Sequence, residues 1–218
     1  MTNYNTPFQI GSVTIPNRVI LAPMAGVSDL PFRLLCHEQG AGLVCMEMIS
    51  AKAICYNNRR TRDLYQTVPG EAPVSLQLFG HEPEFMARAA EIIEPETFDI
   101  LDINMGCPVP KVFNNQEGSA LMKDPGLIER IVAAAVSHTS RPVTVKIRRG
   151  IDEAHQNAVE CALAAQEGGA SAWLSMAGPE SRCTAAKPTG RSSPGSGKRS
   201  ESRSSAPVIL SAGRLPLP

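Results

Sequence analysis

The sequence predicts an α/β fold of the (β/α)₈ barrel family, incomplete at five to six β/α units and followed by a disordered C-terminal tail. Three observations carry that prediction. Five apolar strands, each followed by a helical pattern, succeed one another between residues 18 and 167, and parallel neighbours of this kind require helical crossovers. The turn after the first strand reads Pro23-Met24-Ala25-Gly26, where a doubly wound nucleotide-binding sheet would carry G-x-G-x-x-G. The strands also end in polar or soft side chains, namely Met24, Glu47, Gln77, Asn104 with Cys107, and Lys146, and a barrel gathers its active residues at the C-terminal ends of its strands. A single polar residue at a strand end is usually a turn residue, but a series in consecutive units makes a rim.

Taken in order, residues 8–15 read as a hairpin. Residues 18–22 form the first expected barrel strand, and Ser28 can cap a helix that runs to Gly40. The second strand, 43–46, ends at Glu47 and leads into a helix at 58–65. The third, 74–78, ends in Phe79-Gly80 and precedes a helix at Pro83–Ile93. The fourth, 101–103, precedes the loop bearing Cys107 and a helix at 125–137. The fifth, 143–147, precedes a helix from 153 to 167, which Gly168-Gly169 stops.

The stretch ILDINMGCPVP, residues 100–110, presents a thiol at a strand end. Period-two alternation puts Leu101 and Ile103 on one face and Asp102 and Asn104 on the other. Gly106 permits positive φ and Pro108 cannot donate to a ladder, so the strand stops and Cys107 opens a loop. The competing reading is a small buried hydrophobe, the commonest fate of a free cysteine. In PVTVKIRRG, Val143, Val145 and Ile147 point one way, so Thr144, Lys146 and Arg148 point into the barrel. A lone interior lysine is costly unless it meets an anion or an electron-rich ring. Gln77, placed alike between Leu76 and Leu78, adds an amide that donates and accepts. An ammonium, an amide and the Pro-Met-Ala backbone suit a flat heterocycle that becomes anionic, as a reduced flavin does.

Composition narrows the remaining classes. The chain has 218 residues and is 43% hydrophobic, enough for one domain with a sizeable core, and it has no apolar run long enough to span a membrane. Its N-terminus lacks a basic segment followed by an apolar one, so secretion is not expected. The six cysteines form no Cys-x-x-Cys pair, against a zinc site or a disulfide framework. His37, His81, His138 and His155 show no ligand spacing, and no metal is expected. A reducing cytoplasm fits.

Pro23-Met24-Ala25-Gly26-Val27-Ser28-Asp29, Gln77 in SLQLFG, Asn104-Met105-Gly106-Cys107-Pro108 and Lys146 in VKIRRG together resemble the tRNA-dihydrouridine synthases, especially their bacterial branch. The resemblance runs from about Phe8 to Ala172, and NMGCP continued by VPKVFNNQEGSALMKDP is its most specific part. It implies a (β/α)₈ domain binding FMN, a following helical domain that grips tRNA, NADPH as reductant, and a monomer. By resemblance Pro23, Met24, Ala25, Gln77 and Lys146 are flavin contacts, Asn104 stands beside the uracil, and Cys107 is the proton donor. In that chemistry a hydride reaches uracil C6 from flavin N5, and an acid must protonate C5. A thiol, largely protonated at pH 7, can serve. A nucleophilic Cys107 would call for a histidine partner, and none lies near it in sequence. The uridine must also be extruded from folded tRNA to react. A free-pyrimidine reductase of the dihydroorotate type is the alternative enzyme, and the long VPKVFNNQEGSALMKDP match speaks against it.

The expected division is a partial FMN-binding barrel at 1–172 and a low-complexity basic tail at 173–218. Up to Ser175 the chain carries 14 Lys and Arg against 19 Asp and Glu, whereas residues 176–218 carry seven basic residues against Glu180 and Glu201. Rich in Ser, Pro, Gly and Arg and without aromatics, that tail cannot bury enough apolar surface to order itself. It is also out of frame with the resemblance. A permitted back-translation of WLSMAGPESRCTAAKPTG, read from the last base of the Ser175 codon, spells HGRTREQMYSGKADW, a motif of the same family at fifteen successive positions. The rival account is a genuine basic RNA-binding tail. With strands six to eight and the phosphate-binding loops replaced, the chain is expected to be an inactive or unstable fragment.

Overall fold

The computed structural model of the chain describes residues 4–152, 154–176 and 208–212. Strands β1 (Phe8–Ile10) and β2 (Val13–Ile15) pair as an antiparallel ribbon, with Phe8 opposite Ile15. The principal sheet has the order β3 (Ile20–Leu21), β4 (Leu43–Ser50), β5 (Val74–Phe79), β6 (Ile100–Met105), β7 (Val143–Arg148), β8 (Ala172–Met176) and β9 (Val208–Ala212). Strands β3 to β8 are parallel and follow chain order, which is the arrangement of a partial (β/α) barrel. Helices α1 (Leu30–Glu38), α4 (Pro83–Ile93), α6 (Pro125–Val136) and α7 (Ala158–Glu167) are the longer crossovers.

Local sequence explains these elements. In α4 the buried residues are Met86, Ala89, Ala90 and Ile93, the i, i+3, i+4, i+7 stripe of a helix packed on one face. Asp124 accepts from Leu127 N at 3.0 Å and Pro125 opens α6, so an oxygen and a fixed φ begin the helix together. Leu76, Leu78, Leu101, Ile103, Val145 and Ile147 pack against this helical layer. On the sheet's other face, Ile10 and Ile15 of the ribbon meet Leu43, Cys45, Ile100 and Ala172. The ribbon therefore covers the N-terminal end of the barrel interior.

Several boundaries differ from the sequence expectation. Strand β4 continues through Glu47 to Ser50, with a register irregularity between Cys45 and Met48. The helix expected at 58–65 is shortened to α3 (Arg59–Asp63), and an unexpected helix α2 (Ala51–Cys55) precedes it; Asn57 adopts φ 56° between the two and Asn58 caps α3 through Arg60 N. Asp29 rather than Ser28 caps α1, since the Ser28 hydroxyl is taken by Met24. The last crossover helix begins at Ala158, because Asp152 Oδ1 accepts from Ala154 N and His155 N and turns the chain instead. Residue 153, its expected start, lies outside the described residues.

At the two edges the sheet behaves differently. Among the described residues strand β3 pairs with β4 alone, and Val19 beside it is 51% exposed. In a closed barrel that edge would meet the last strand. Strand β8 runs to Met176, beyond the boundary expected at 172, and β9 covers it antiparallel from Ala172↔Ala212 to Met176↔Val208. The described residues of the expected tail thus lie in strands that composition did not suggest, the end of β8 and β9, the latter built on the apolar run Val208-Ile209-Leu210. The rest of the expected disordered tail lies outside the described residues.

Candidate functional site

Pleating sends the polar members of β5, β6 and β7 into the barrel, and the parallel register then sets them in rows. Gln77 lies opposite Asp102, which lies opposite Thr144, and one step higher Asn104 lies opposite Lys146. All five are buried. Gln77 Nε2 donates to Asp102 Oδ2 at 2.6 Å and Thr144 Oγ1 donates to Asp102 Oδ1 at 2.6 Å. Asn104 Nδ2 donates to Gln77 Oε1 at 2.8 Å. Asn104 Oδ1 in turn accepts from Gly106 N at 3.1 Å and Cys107 N at 2.9 Å. A continuous chain of hydrogen bonds therefore runs from Thr144 to the backbone of the cysteine loop.

That loop is held from both sides. The Cys107 carbonyl accepts from Ser119 N at 3.0 Å and Ser119 Oγ at 3.1 Å, while Arg148 Nε donates to the Gly106 carbonyl. Gly118 has φ 61°, and a Cβ there would stand 2.5 Å from the Cys107 carbonyl oxygen. Only glycine allows this approach. Cys107 is half-buried just beyond the C-terminal end of β6.

The interior charges oppose each other. Burial pushes the Asp102 carboxyl up to about 6, against the hydrogen bonds of Thr144 and Gln77 and the charge of Lys146. Burial lowers Lys146, and Arg148 adds to this, whereas the Asp102 charge supports the ammonium. Cys45, below them, is pushed up to about 12 by burial and by Asp102, so it is a neutral core thiol. Lys146 Nζ has three N–H donors, of which one is directed at the thioether of Met176.

The structure brings Gln77, Asn104, Cys107 and Lys146 together as the alternation implied. Pro23 joins them, lining a small void with Cys45, Asp102, Thr144, Lys146 and Leu174. Met24 and Ala25, which follow Pro23, stand exposed. Their turn is pinned by the buried Ser28, whose Oγ donates to Met24 O and accepts from Met24 N. Below it, the buried Arg33 pairs with Glu71 and donates to Ser28 O and Gln66 O. Glu47, expected on the rim, instead accepts from Gly26 N at 3.0 Å and supports the same turn. Sequence reasoning overlooked Asp102 and Thr144 as members of the site. The available signal was their position, each two residues before Asn104 or Lys146 on the same pleat face.

Among the described residues no group of His, Cys, Asp and Glu could hold a metal ion, and no helix is long and apolar enough to cross a membrane. The dihydrouridine synthase family model matches residues 20–175, ending one residue before the position where the second reading frame would put its histidine. The tRNA-dihydrouridine synthase B of Pseudomonas aeruginosa is 43% identical over 164 residues, covering 75% of this chain and 49% of that protein. That of Xanthomonas campestris pv. campestris is 44% identical over 164 residues, again 75% and 49%. The chain spans about half the length of the curated relatives it matches. Among solved structures, 6-hydroxypseudooxynicotine amine oxidase of Pseudomonas geniculata N1 is similar in fold, with TM-score 0.52 and 15% identity over 70% of this chain and 34% of that one. By the length of the family match and the buried polar rows it contains, the chain belongs to the dihydrouridine synthase family.

Proposed function

We propose that this chain carries part of the catalytic barrel of a tRNA-dihydrouridine synthase, an FMN-dependent and NADPH-driven oxidoreductase that reduces the C5–C6 bond of uridine in tRNA. The observation that carries the reading is the shared Asn104 oxygen, which accepts from both Gly106 N and Cys107 N while its amide nitrogen is tied to Gln77 beside Lys146. This arrangement fixes the backbone of the cysteine turn at the end of a strand whose neighbour carries the buried Lys146.

The donor set fits a flavin. Lys146 offers N–H donors whose recorded acceptor is a weak thioether, so a better acceptor in its place is favourable. Lys146, Gln77 and the turn Pro23-Met24-Ala25 would hold the ring system, and bound FMN, reduced by NADPH, would supply the hydride for uracil C6. Cys107 would protonate C5 from the opposite side, its loop fixed by Asn104 and Ser119. Asn104 directs its amide nitrogen at Gln77 and at Met48 Sδ, so its first task is to hold the cysteine turn, and a direct uracil contact requires the Met48 contact to open. A tRNA substrate places the reaction in the cytoplasm, and the enzyme would act as a monomer.

A second reading, a non-catalytic partial barrel, is favoured by the β3 edge, which among the described residues pairs with β4 alone. One experiment separates them. The 218-residue chain, and a version whose codons are read in the other frame from residue 175 onward, are incubated with FMN, NADPH and unmodified tRNA, and dihydrouridine is quantified. The restored chain is expected to form it and the 218-residue chain is not. A restored, folded chain that forms none overturns the enzyme reading.

A further inference from the structure

The described surface carries a cationic cluster that the site above does not use. Helix α3 bears Arg59, Arg60 and Arg62, all exposed. Arg59 and Arg62, three residues apart, share one helical face and line a depression of about 430 Å³ with Asn57, Asp63 and Gln66. Lys52, Arg130 and Arg141 have carboxylate partners, whereas none of the ion pairs among the described residues involves Arg59, Arg60 or Arg62. Arg62 is steadied by the Tyr65 phenol. The cluster interrupts a body whose balance is acidic, 14 basic against 19 acidic residues up to Ser175.

Its position relates it to the site. Asp63 and Gln66 also line a neighbouring cavity with Ser28, Asp29, Arg33 and Glu47, and Glu47 holds Gly26 N in the turn after β3. The arginines therefore stand on the rim onto which the strands open, beside the turn that contains Met24 and Ala25. Planar guanidiniums outside the ion pairs of the described residues, two of them on one helical face and next to a reaction site, suit the bidentate recognition of phosphodiesters.

We propose that Arg59, Arg60 and Arg62 form a docking surface for the phosphate backbone of the RNA whose base enters the site. This rests on the tRNA reading above and extends it to a surface outside the reacting residues. Neutralised phosphates release counterions, with a slope of about 0.7 to 0.9 in log K against log salt for each contact.

The test uses the full chain, a fluorescent unmodified tRNA transcript and anisotropy titrations across a range of salt. Arg59→Ala/Arg62→Ala is expected to weaken binding about tenfold near 0.1 M salt and to lower the salt slope by about 1.5. Arg88→Ala/Arg130→Ala, which removes equal charge from helices α4 and α6, is expected to change neither by more than about twofold. Equal losses in both variants, an unchanged Arg59→Ala/Arg62→Ala, or a parent chain that binds no tRNA would each overturn the proposal. Competition by polyglutamate as effective as by RNA would overturn it in favour of an acidic protein partner. A chain that binds tRNA through these arginines yet forms no dihydrouridine upholds the surface and counts against the reaction alone.

Discussion

The two ends of the sheet use charge in opposite ways. At the N-terminal end, Arg141 donates through Nε to Phe98 O at 2.7 Å, and through its two terminal nitrogens to Glu94 O at 2.8 Å and Glu96 O at 2.7 Å, and pairs with the Glu94 carboxylate at 3.0 Å. Burial alone would push Glu94 up, but hydrogen bonds from Ser140 and Thr139, with the Arg141 charge, hold it at about 2. At the C-terminal end, burial outweighs the partners of Asp102 and pushes it up to about 6, and Lys146 faces a thioether. One end satisfies its ions and gains stability from them. The other keeps ions under strain where a ligand could use them, as barrels generally do at the ends where their active residues lie.

The largest expected effect is at the satisfied end. Arg141→Ala deprives three carbonyls and a carboxylate of their donors, and should cost about 3 kcal/mol in urea unfolding, since hydrogen bonds to charged groups contribute about 1.5 to 3 kcal/mol each and do not add fully. A loss near zero would erase the contrast between the ends. Next is Cys107→Ala, which in the frame-restored protein should keep its flavin and NADPH oxidation yet lose tRNA reduction by about two orders of magnitude. Retained product formation would remove Cys107 as the acid.

The pH dependence sharpens the comparison, because the two carboxylates bias folding in opposite directions. Asp102 is raised in the folded chain, so between about 6 and the unfolded value near 3.9 the folded state holds more protons and stability rises as pH falls. Glu94 is depressed, so its contribution is present above about 4.3 and is lost as pH falls towards about 2. Asp102→Asn should therefore flatten the profile between pH 7 and about 4, and Glu94→Gln should flatten it below about 4.5, each read as unfolding midpoint against pH. Identical profiles for both variants would contradict the opposed shifts. The smallest stability change belongs to Lys146→Met. Burial disfavours its ammonium, so removal should alter stability by less than about 1 kcal/mol while reducing FMN retention. A variant with full flavin occupancy would make the lysine structural.

Much of this was legible in one dimension. Repeated strand and helix patterns specify the parallel order, because parallel strands must be joined by crossovers. Alternation assigns Gln77, Asn104 and Lys146 to the interior face, because the side-chain period of a strand is two whatever surrounds it. The thiol at Cys107 is announced by the glycine and proline that stop β6. Register is what the sequence does not contain. That Asp102 lies between Gln77 and Thr144, and so organises the site, depends on how three strands separated by long crossovers slide past each other. The register irregularity in β4 and the reach of Glu47 to Gly26 in the turn after β3 are likewise tertiary. Local sequence determines which groups face inward, because that depends on backbone geometry alone. Which groups meet depends on packing between segments far apart in the chain, and only the folded molecule decides it.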